Sequence, residues 1–265
     1  SRACVKMDQF IPDLKDYKEF REPFLGGGSV ALHITKKYPH LNIWVNDLYE
    51  PLFNFWCQLQ DYGSELEEKI LDYKLKYNDP ESARELFKKC KDGIDSSDST
   101  PFDRAVDFYI INKCSFSGLT ESSSFSPQAS ESNFSLRGIE KLSEYSKLID
   151  NWTITKMNYC HMLTDQKNVF TYLDPPYDIK DNLYGKKGEM HKKFNHDDFA
   201  KECDHYTGHQ LISYNSSQLV KERFKEWDLV EFDHTYTMRS VGSYMSNQQQ
   251  RKELLLFNYK LRGES

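Results

Sequence analysis

The chain has no apolar run of membrane-spanning length and no signal-peptide pattern, so neither a membrane-spanning nor a secreted protein is expected. Its six cysteines, Cys4, Cys57, Cys90, Cys114, Cys160 and Cys203, are not paired at metal-ligand spacing, and the eight histidines do not cluster with them. No zinc site or disulfide framework is therefore expected; the pattern suits free thiols in a reducing, intracellular compartment. Glycine is scarce, 12 in 265 residues. The three consecutive glycines form neither the spaced dinucleotide fingerprint nor a P-loop, since no Gly-Lys-Ser/Thr follows. A global basic excess is lacking too: the net charge is −6, so any grip on nucleic acid must come from local patches. The length suits one well-filled core with a smaller insertion rather than two large domains.

What is present begins near the middle of the chain, at Tyr172-Leu173-Asp174-Pro175-Pro176-Tyr177. Val169 to Leu173 is a short apolar run after a polar loop and reads as a buried strand. The prolines stop it, and each keeps the residue before it extended. Asp174 and Tyr177 should then stand at the carboxyl end of a sheet, where open α/β sheets bind ligands. The group suits alkylation of an exocyclic amine on a base. That nitrogen is a poor nucleophile because its lone pair is delocalised into the ring. A carboxylate accepting one N–H and the Pro175 carbonyl accepting the other would favour a tetrahedral nitrogen. Tyr177 offers a flat face on which an extruded base can stack. The plainer alternative is a strand ending in a proline turn with an ordinary surface aspartate.

A second signal lies upstream. Arg21-Glu22-Pro23-Phe24-Leu25-Gly26-Gly27-Gly28-Ser29-Val30 reads as a strand-to-helix junction whose glycines let the backbone turn sharply and approach a ligand. Leu41 to Val45 reads as the next strand, with Asp47 just past its end. That is about twenty residues beyond the glycines, where an acidic side chain accepts the hydroxyls of a ribose. The alternative for Asp47 is the N-cap of a helix beginning near Glu50.

Together these sites resemble the Dam-type family of DNA adenine-N6 methyltransferases. Glu22-Pro23-Phe24 with Gly26, Gly27 and Gly28 is similar to its donor-binding motif, Asn46-Asp47-Leu48 to its ribose-binding acid, and Asp174 to Tyr177 to its catalytic motif. Ile111-Asn112-Lys113 through Ser117-Gly118-Leu119 resembles the start of the DNA-recognition region, Leu211 to Asn215 a later strand, and Glu253 to Tyr259 the closing strand. The resemblance implies a Rossmann-like α/β fold with an inserted helical DNA-recognition domain, and S-adenosylmethionine as methyl donor. It further implies double-stranded DNA as substrate, with base flipping, and no metal. The donor would be held by Glu22, Phe24, Gly26, Gly27, Gly28, Asp47, Leu48, Asn158 and Asp174. Catalysis would rest on Asp174, Pro175, Pro176 and Tyr177, chiefly through positioning, with no general base of shifted pKa. The family also carries a Gly-Gly-Lys element before its first helix; the sequence begins at Ser1-Arg2-Ala3, about where that element ends, so either it starts late or the contact is lost, and Lys6, a candidate substitute, is expected rather on the solvated face of an amphipathic helix. Cytosine-N4 or RNA methylation on the same scaffold, or a non-catalytic DNA-binding relative, remain the alternatives. A prokaryotic or viral setting, a monomer or weak dimer, and a cognate restriction nuclease complete the expectation.

Three polar stretches are candidates for the DNA face. His234 to Lys252 contains no acidic residue and reads as a long hairpin bent at Gly242, with Arg239, Asn247, Arg251 and Lys252 suited to phosphate and base-edge contacts. Ser115 to Ser135 is serine-rich with Phe116, Phe125 and Phe134 interleaved, and with Lys113 before it supplies Ser117 and Ser124. Lys180 to Lys193, including Lys187, follows the catalytic motif. Each is otherwise a solvated loop or linker.

Helices are expected at Ala3–Phe10, Ser29–Tyr38, Pro51–Gln60, Leu66–Tyr77, Ala83–Lys91, Asp103–Cys114, Leu136–Leu148, Asp197–Tyr206 and Ser217–Trp227. Further strands are expected at Ile154–Met157, Leu229–Asp233 and Leu254–Lys260. Residues 61–150 form the expected helical target-recognition insert, within a catalytic domain of residues 1–60 and 151–265.

Overall fold

A computed structural model describes residues 7–116, 123–177, 194–234 and 251–261, with the backbone alone for His234 and Arg251. Seven strands form one sheet: β1 (Glu19–Glu22), β2 (Asn42–Asn46), β3 (Thr153–Thr155), β4 (Val169–Leu173), β5 (His209–Asn215), β6 (Asp228–His234) and β7 (Arg251–Phe257). Their spatial order is β3-β2-β1-β4-β5-β7-β6. The first five are parallel neighbours, and β7 enters antiparallel between β5 and β6. All five residues of β4 are buried, as expected of a central parallel strand covered on both faces.

The two faces carry separate apolar cores. Phe170 and Tyr172 of β4, with Leu255 and Phe257 of β7, join α1 (Ser29–Lys37) and α2 (Glu50–Lys76) on one side. Leu173, Ile212, Tyr214, Leu254 and Leu256 pack on the other against Phe199 and Cys203 of α8 (His196–His205) and Val220 of α9 (Gln218–Arg223). Period-two alternation along β7 thus feeds both cores at once.

Between β2 and β3 the chain is helical: α2, α3 (Pro80–Ile94), α4 (Pro101–Cys114), α5 (Pro127–Ser132), α6 (Leu136–Glu140) and α7 (Leu142–Leu148). Reciprocal capping boxes start two of them, Asp79 with Ser82 on α3 and Thr100 with Asp103 on α4, each with proline in the first turn. The helices expected at Pro51–Gln60 and Leu66–Tyr77 join into α2, which only kinks at Tyr62 (φ −136°, ψ 39°). The next residue, Gly63, lies against Ser146 of α7, where a Cβ would come within 2.1 Å of the Ser146 Cβ. The glycine therefore admits a neighbouring helix instead of ending its own. The expected helix Leu136–Leu148 divides at Lys141, and α5 lies in a stretch with no helix expected. Strands β3 and β7 begin and end earlier than Ile154–Met157 and Leu254–Lys260. Among the described residues no helix is long and apolar enough to cross a membrane.

Candidate active site

The chain runs outward from β1 through β2 to β3, then returns to β4 on the other side of β1. The order therefore reverses between β1 and β4, and a crevice opens beyond their carboxyl ends at such a switch point. Both sequence motifs border it. Glu22 ends β1 and leads into the glycine loop; Asp174 follows β4; Asp47 lies just beyond β2.

Hydrogen bonds fix the loop from two sides. Asp47 accepts from the backbone N–H of Gly26 at 2.9 Å and of Tyr49 at 3.0 Å. Desolvation raises its pKa, and those two bonds oppose the rise. The helix after it is capped at Tyr49, not at Asp47; the carboxylate bridges the loop and the N–H of that N-cap residue. Trp56 of α2 donates its indole N–H to the Gly26 carbonyl at 3.1 Å, and its ring packs at 5.5 Å from that of Trp152. Gly26 and Gly28 adopt left-handed φ values of 51° and 70°. Among the described residues no atom lies within 4 Å of where a Cβ would stand on Gly26 or Gly27, so the outer side of the loop is open to a ligand among them. Such an open, backbone-lined cradle fits a bulky donor molecule.

Asn46 ties the strand ends together. Its amide donates to the carbonyls of Pro23 (3.0 Å) and Met157 (2.9 Å), and its Oδ1 accepts from Met157 N–H and the Thr155 hydroxyl. It is buried, with every polar atom engaged, so it sets the spacing of the β1, β2 and β3 exits. Leu48 is 54% exposed beside Asp47. Phe24 packs with Tyr159 and Phe194, at ring separations of 5.5 and 5.8 Å. Asn158 is exposed and caps the short 3-10 turn Tyr159–Met162 through Cys160 N–H.

At the catalytic motif, Pro175 is buried and Tyr177 half-buried. The Tyr177 hydroxyl donates to Glu253 Oε2 at 2.6 Å. Ser213 of β5 lies near both Tyr172 and Tyr177 and opposes the rise of their pKa values. Glu22 is buried and its charge faces Tyr172. Desolvation, with the charge of Glu253, pushes the Asp174 carboxyl up to about 7. Asp174 as a residue is exposed, so water screens part of that push; its upward direction is what bears on the chemistry. The chemistry was expected to need no general base of shifted pKa; burial, and then the second carboxylate that β7 brings to the site, nonetheless raise Asp174.

The structure brings together Glu22, Phe24, the glycines, Asp47, Leu48 and Asp174 to Tyr177. Glu253, Ser213, Asn46 and Trp56 were missed as site residues, since the chemistry of each depends on a partner far away in sequence. Of the DNA candidates, Lys113 is half-buried on α4, its ammonium 5.6 Å over the Tyr109 ring and its pKa lowered by burial. Ser124 and Lys252 are exposed. Phe125 and Phe134 anchor their stretch, on Phe87 and within the core, whereas Phe116 is 63% exposed. Ser117, Lys187, Arg239, Asn247 and the Arg251 side chain lie outside the described residues, as do Lys6 and the hairpin tip at Gly242. A cleft of about 480 Å³, lined by Lys167, Asp204 and Trp227, opens at the opposite end of β5, away from these groups. Among the described residues no cluster of three or more His, Cys, Asp or Glu is arranged to hold a metal.

Compared with known proteins, residues 6–238 match the family model described as D12 class N6 adenine-specific DNA methyltransferase. The chain is 24% identical over 257 residues to the type II methyltransferase M1.LlaDCHI of Lactococcus lactis subsp. cremoris, covering 92% of this chain and 87% of that protein. It is 24% identical over 220 residues to the type II methyltransferase M.MjaIII of Methanocaldococcus jannaschii, covering 78% and 75%. Among solved structures, a precorrin-6y C5,15-methyltransferase of Geobacter metallireducens aligns over 97% of this chain and 86% of that one at 9% identity, with a TM-score of 0.37. A SAM-dependent O-methyltransferase of Thermotoga maritima aligns over 99% and 67% at 8% identity, with a TM-score of 0.38. Scores this low bear on neither fold nor function.

Proposed function

The chain belongs to the D12 class of N6 adenine-specific DNA methyltransferases, and we propose that its methyl transfer takes place in the crevice between β1 and β4. The enzyme transfers a methyl group from S-adenosylmethionine to the N6 amine of adenine in DNA. The donor supplies an electrophilic methyl on a sulfonium centre. The glycine loop, Phe24, Asp47, Leu48 and Asn158 are the residues to hold it. Asp174 accepts one N–H of the target amine and the Pro175 carbonyl the other, which draws the nitrogen lone pair out of conjugation. Tyr177 stacks on the base after it leaves the duplex. Most of the acceleration then comes from alignment of the reacting atoms. Once the methyl is on nitrogen, that nitrogen carries a positive charge and an extra proton. Asp174, with its proton affinity raised towards neutrality, is well matched to take that proton.

The observation that carries this reading is the meeting of the open glycine loop and the Asp174–Tyr177 exit at one switch point of the sheet. Residues 61–150 are proposed as the target-recognition insert in duplex DNA, mounted on α2, with Lys113 and Ser124 on its DNA side and Lys252 on the β7 side. The two relatives named above are type II methyltransferases; extended to this chain, that supports a modification enzyme that works alongside a cognate nuclease. Asp174→Ala is the decisive variant. Single-turnover transfer with labelled donor should be lost, while calorimetric binding of S-adenosylhomocysteine persists, because the acceptor acts mainly in the transition state. Near-normal transfer by the variant would overturn the assignment.

A further inference from the structure

We propose that Glu253, on the antiparallel strand β7, is a positioning residue that sets the Tyr177 ring for the target base. The inference rests on the catalytic reading above. Because β7 runs against its neighbours, its first residues reach the edge where β4 and β5 end. Glu253 sits opposite Asn215, the last residue of β5, and opposite Phe232 of β6. From there its Oε2 accepts the Tyr177 hydroxyl at 2.6 Å. Two prolines make the approach to Tyr177 stiff, but they leave its side-chain torsions free. A hydrogen bond to a carboxylate at the far end of the ring removes that freedom and is stronger than one between neutral groups. With the stiff backbone at one end and the carboxylate at the hydroxyl end, the ring is held before any base arrives, and the ordering cost of capture is reduced.

The same carboxylate has a second effect. Among the described residues, the titratable groups around the site are Tyr172 on β4, Tyr177 beyond it, Glu22 on β1 facing Tyr172, and Glu253 on β7. Of these, Glu253 is the one whose charge raises Asp174. Removing that charge should make Asp174 ionise at lower pH.

Three variants separate the roles. Glu253→Gln keeps an acceptor for the hydroxyl but removes the charge. Glu253→Ala removes both. Tyr177→Phe removes the hydroxyl and keeps the charge. The target is first located by methylating a mixed-sequence DNA library with the parent enzyme. Capture is then read by the fluorescence of 2-aminopurine at that position, and Asp174 by the pH dependence of single-turnover transfer. Glu253→Ala and Tyr177→Phe should each weaken capture by about tenfold, the size of a hydrogen bond to a charged group. The double variant should be no worse than either alone. Glu253→Gln should capture almost as the parent does, and both Glu253 variants should move the acid limb of the profile to lower pH. Tyr177→Phe should leave that limb in place. Parent-like capture by Glu253→Ala, or additive losses in the double variant, would overturn the proposal. Binding of S-adenosylhomocysteine reports folding; if Glu253→Ala does not fold, parent-like capture by Tyr177→Phe, or an unmoved limb in Glu253→Gln, overturns it equally. A parent that fails to methylate DNA sinks the catalytic reading itself, whereas a methylating parent with indifferent variants sinks this inference alone.

Discussion

Replacing Gly28 with alanine tests how the donor loop is built. Gly28 has φ 70°, and a Cβ there would stand 2.6 Å from Trp56 Cζ2 and 2.7 Å from Cη2. The indole cannot easily yield. It is buried, donates to the Gly26 carbonyl, and packs on Trp152. The left-handed backbone costs an L-residue about 1–2 kcal/mol and overpacking about 1–3 kcal/mol, so a loss of roughly 2–5 kcal/mol is expected. For a chain of this size each kcal/mol lowers the melting temperature by about 2–4 °C, giving a fall on the order of 10 °C. Gly27→Ala is the companion variant. It has no left-handed φ and, among the described residues, no atom within 4 Å of its Cβ position, so stability should stay within about 0.5 kcal/mol of the parent. Its methyl would project into the open cradle, and S-adenosylhomocysteine affinity should fall about tenfold, the equivalent of 1.4 kcal/mol. Trp56→Phe removes the two clashing carbons, so in the Gly28→Ala background it should cost less than it does alone. Thermal melting and calorimetric titration read all four proteins. Parent-like melting of Gly28→Ala would refute the wedge argument, and parent-like donor binding by Gly27→Ala would place the donor elsewhere.

The Asp174 carboxyl is raised to about 7 in the folded chain, above its ordinary value of 3.8. Between those values the folded state holds more protons than the unfolded one, so stability falls as pH rises through neutrality. Asp174→Asn should therefore melt higher than the parent at pH 8 and equally below pH 4, while parent transfer rates climb through the same neutral range; parallel melting curves at both pH values would contradict the shift. Asp47→Ala strands two backbone N–H groups, those of Gly26 and Tyr49. It should cost about 1–3 kcal/mol in S-adenosylhomocysteine binding and leave DNA affinity unaltered, which a paired calorimetric and DNA titration checks. Lys252→Ala, if that exposed side chain meets phosphate, should reduce the slope of log K against log salt by about one across all sequences; an unchanged slope would remove it from the DNA face.

Much of the donor edge was legible because its signals are local. A run of apolar residues closed by Pro175 and Pro176 can only be a buried strand with a stiff exit, and β4 is buried throughout. Glycines after Glu22 and an acid about twenty residues later describe one βαβ unit. Apolar spacing placed α3 and α4 at Ala83 and Asp103, a few residues late, because the Pro-led capped starts at Asp79 and Thr100 lie ahead of the apolar run. Tertiary packing decided the rest. Gly63 reads locally as a break, yet the approach of α7 turns it into a close contact inside α2. Asp47 was read as a ribose acceptor or a helix N-cap; the N-cap is Tyr49 instead, and the Asp47 carboxylate takes the N–H of Gly26 across the sheet end and that of Tyr49. Glu253 looks like an ordinary strand residue in sequence. Only the insertion of β7 antiparallel between β5 and β6 carries it to Tyr177 and Asp174. Sequence by itself determined which residues could do the chemistry, because side-chain type and backbone freedom are properties of the local chain. Strand order determined which of them meet, because hydrogen bonds and charges act over a few ångströms and take no account of distance along the sequence.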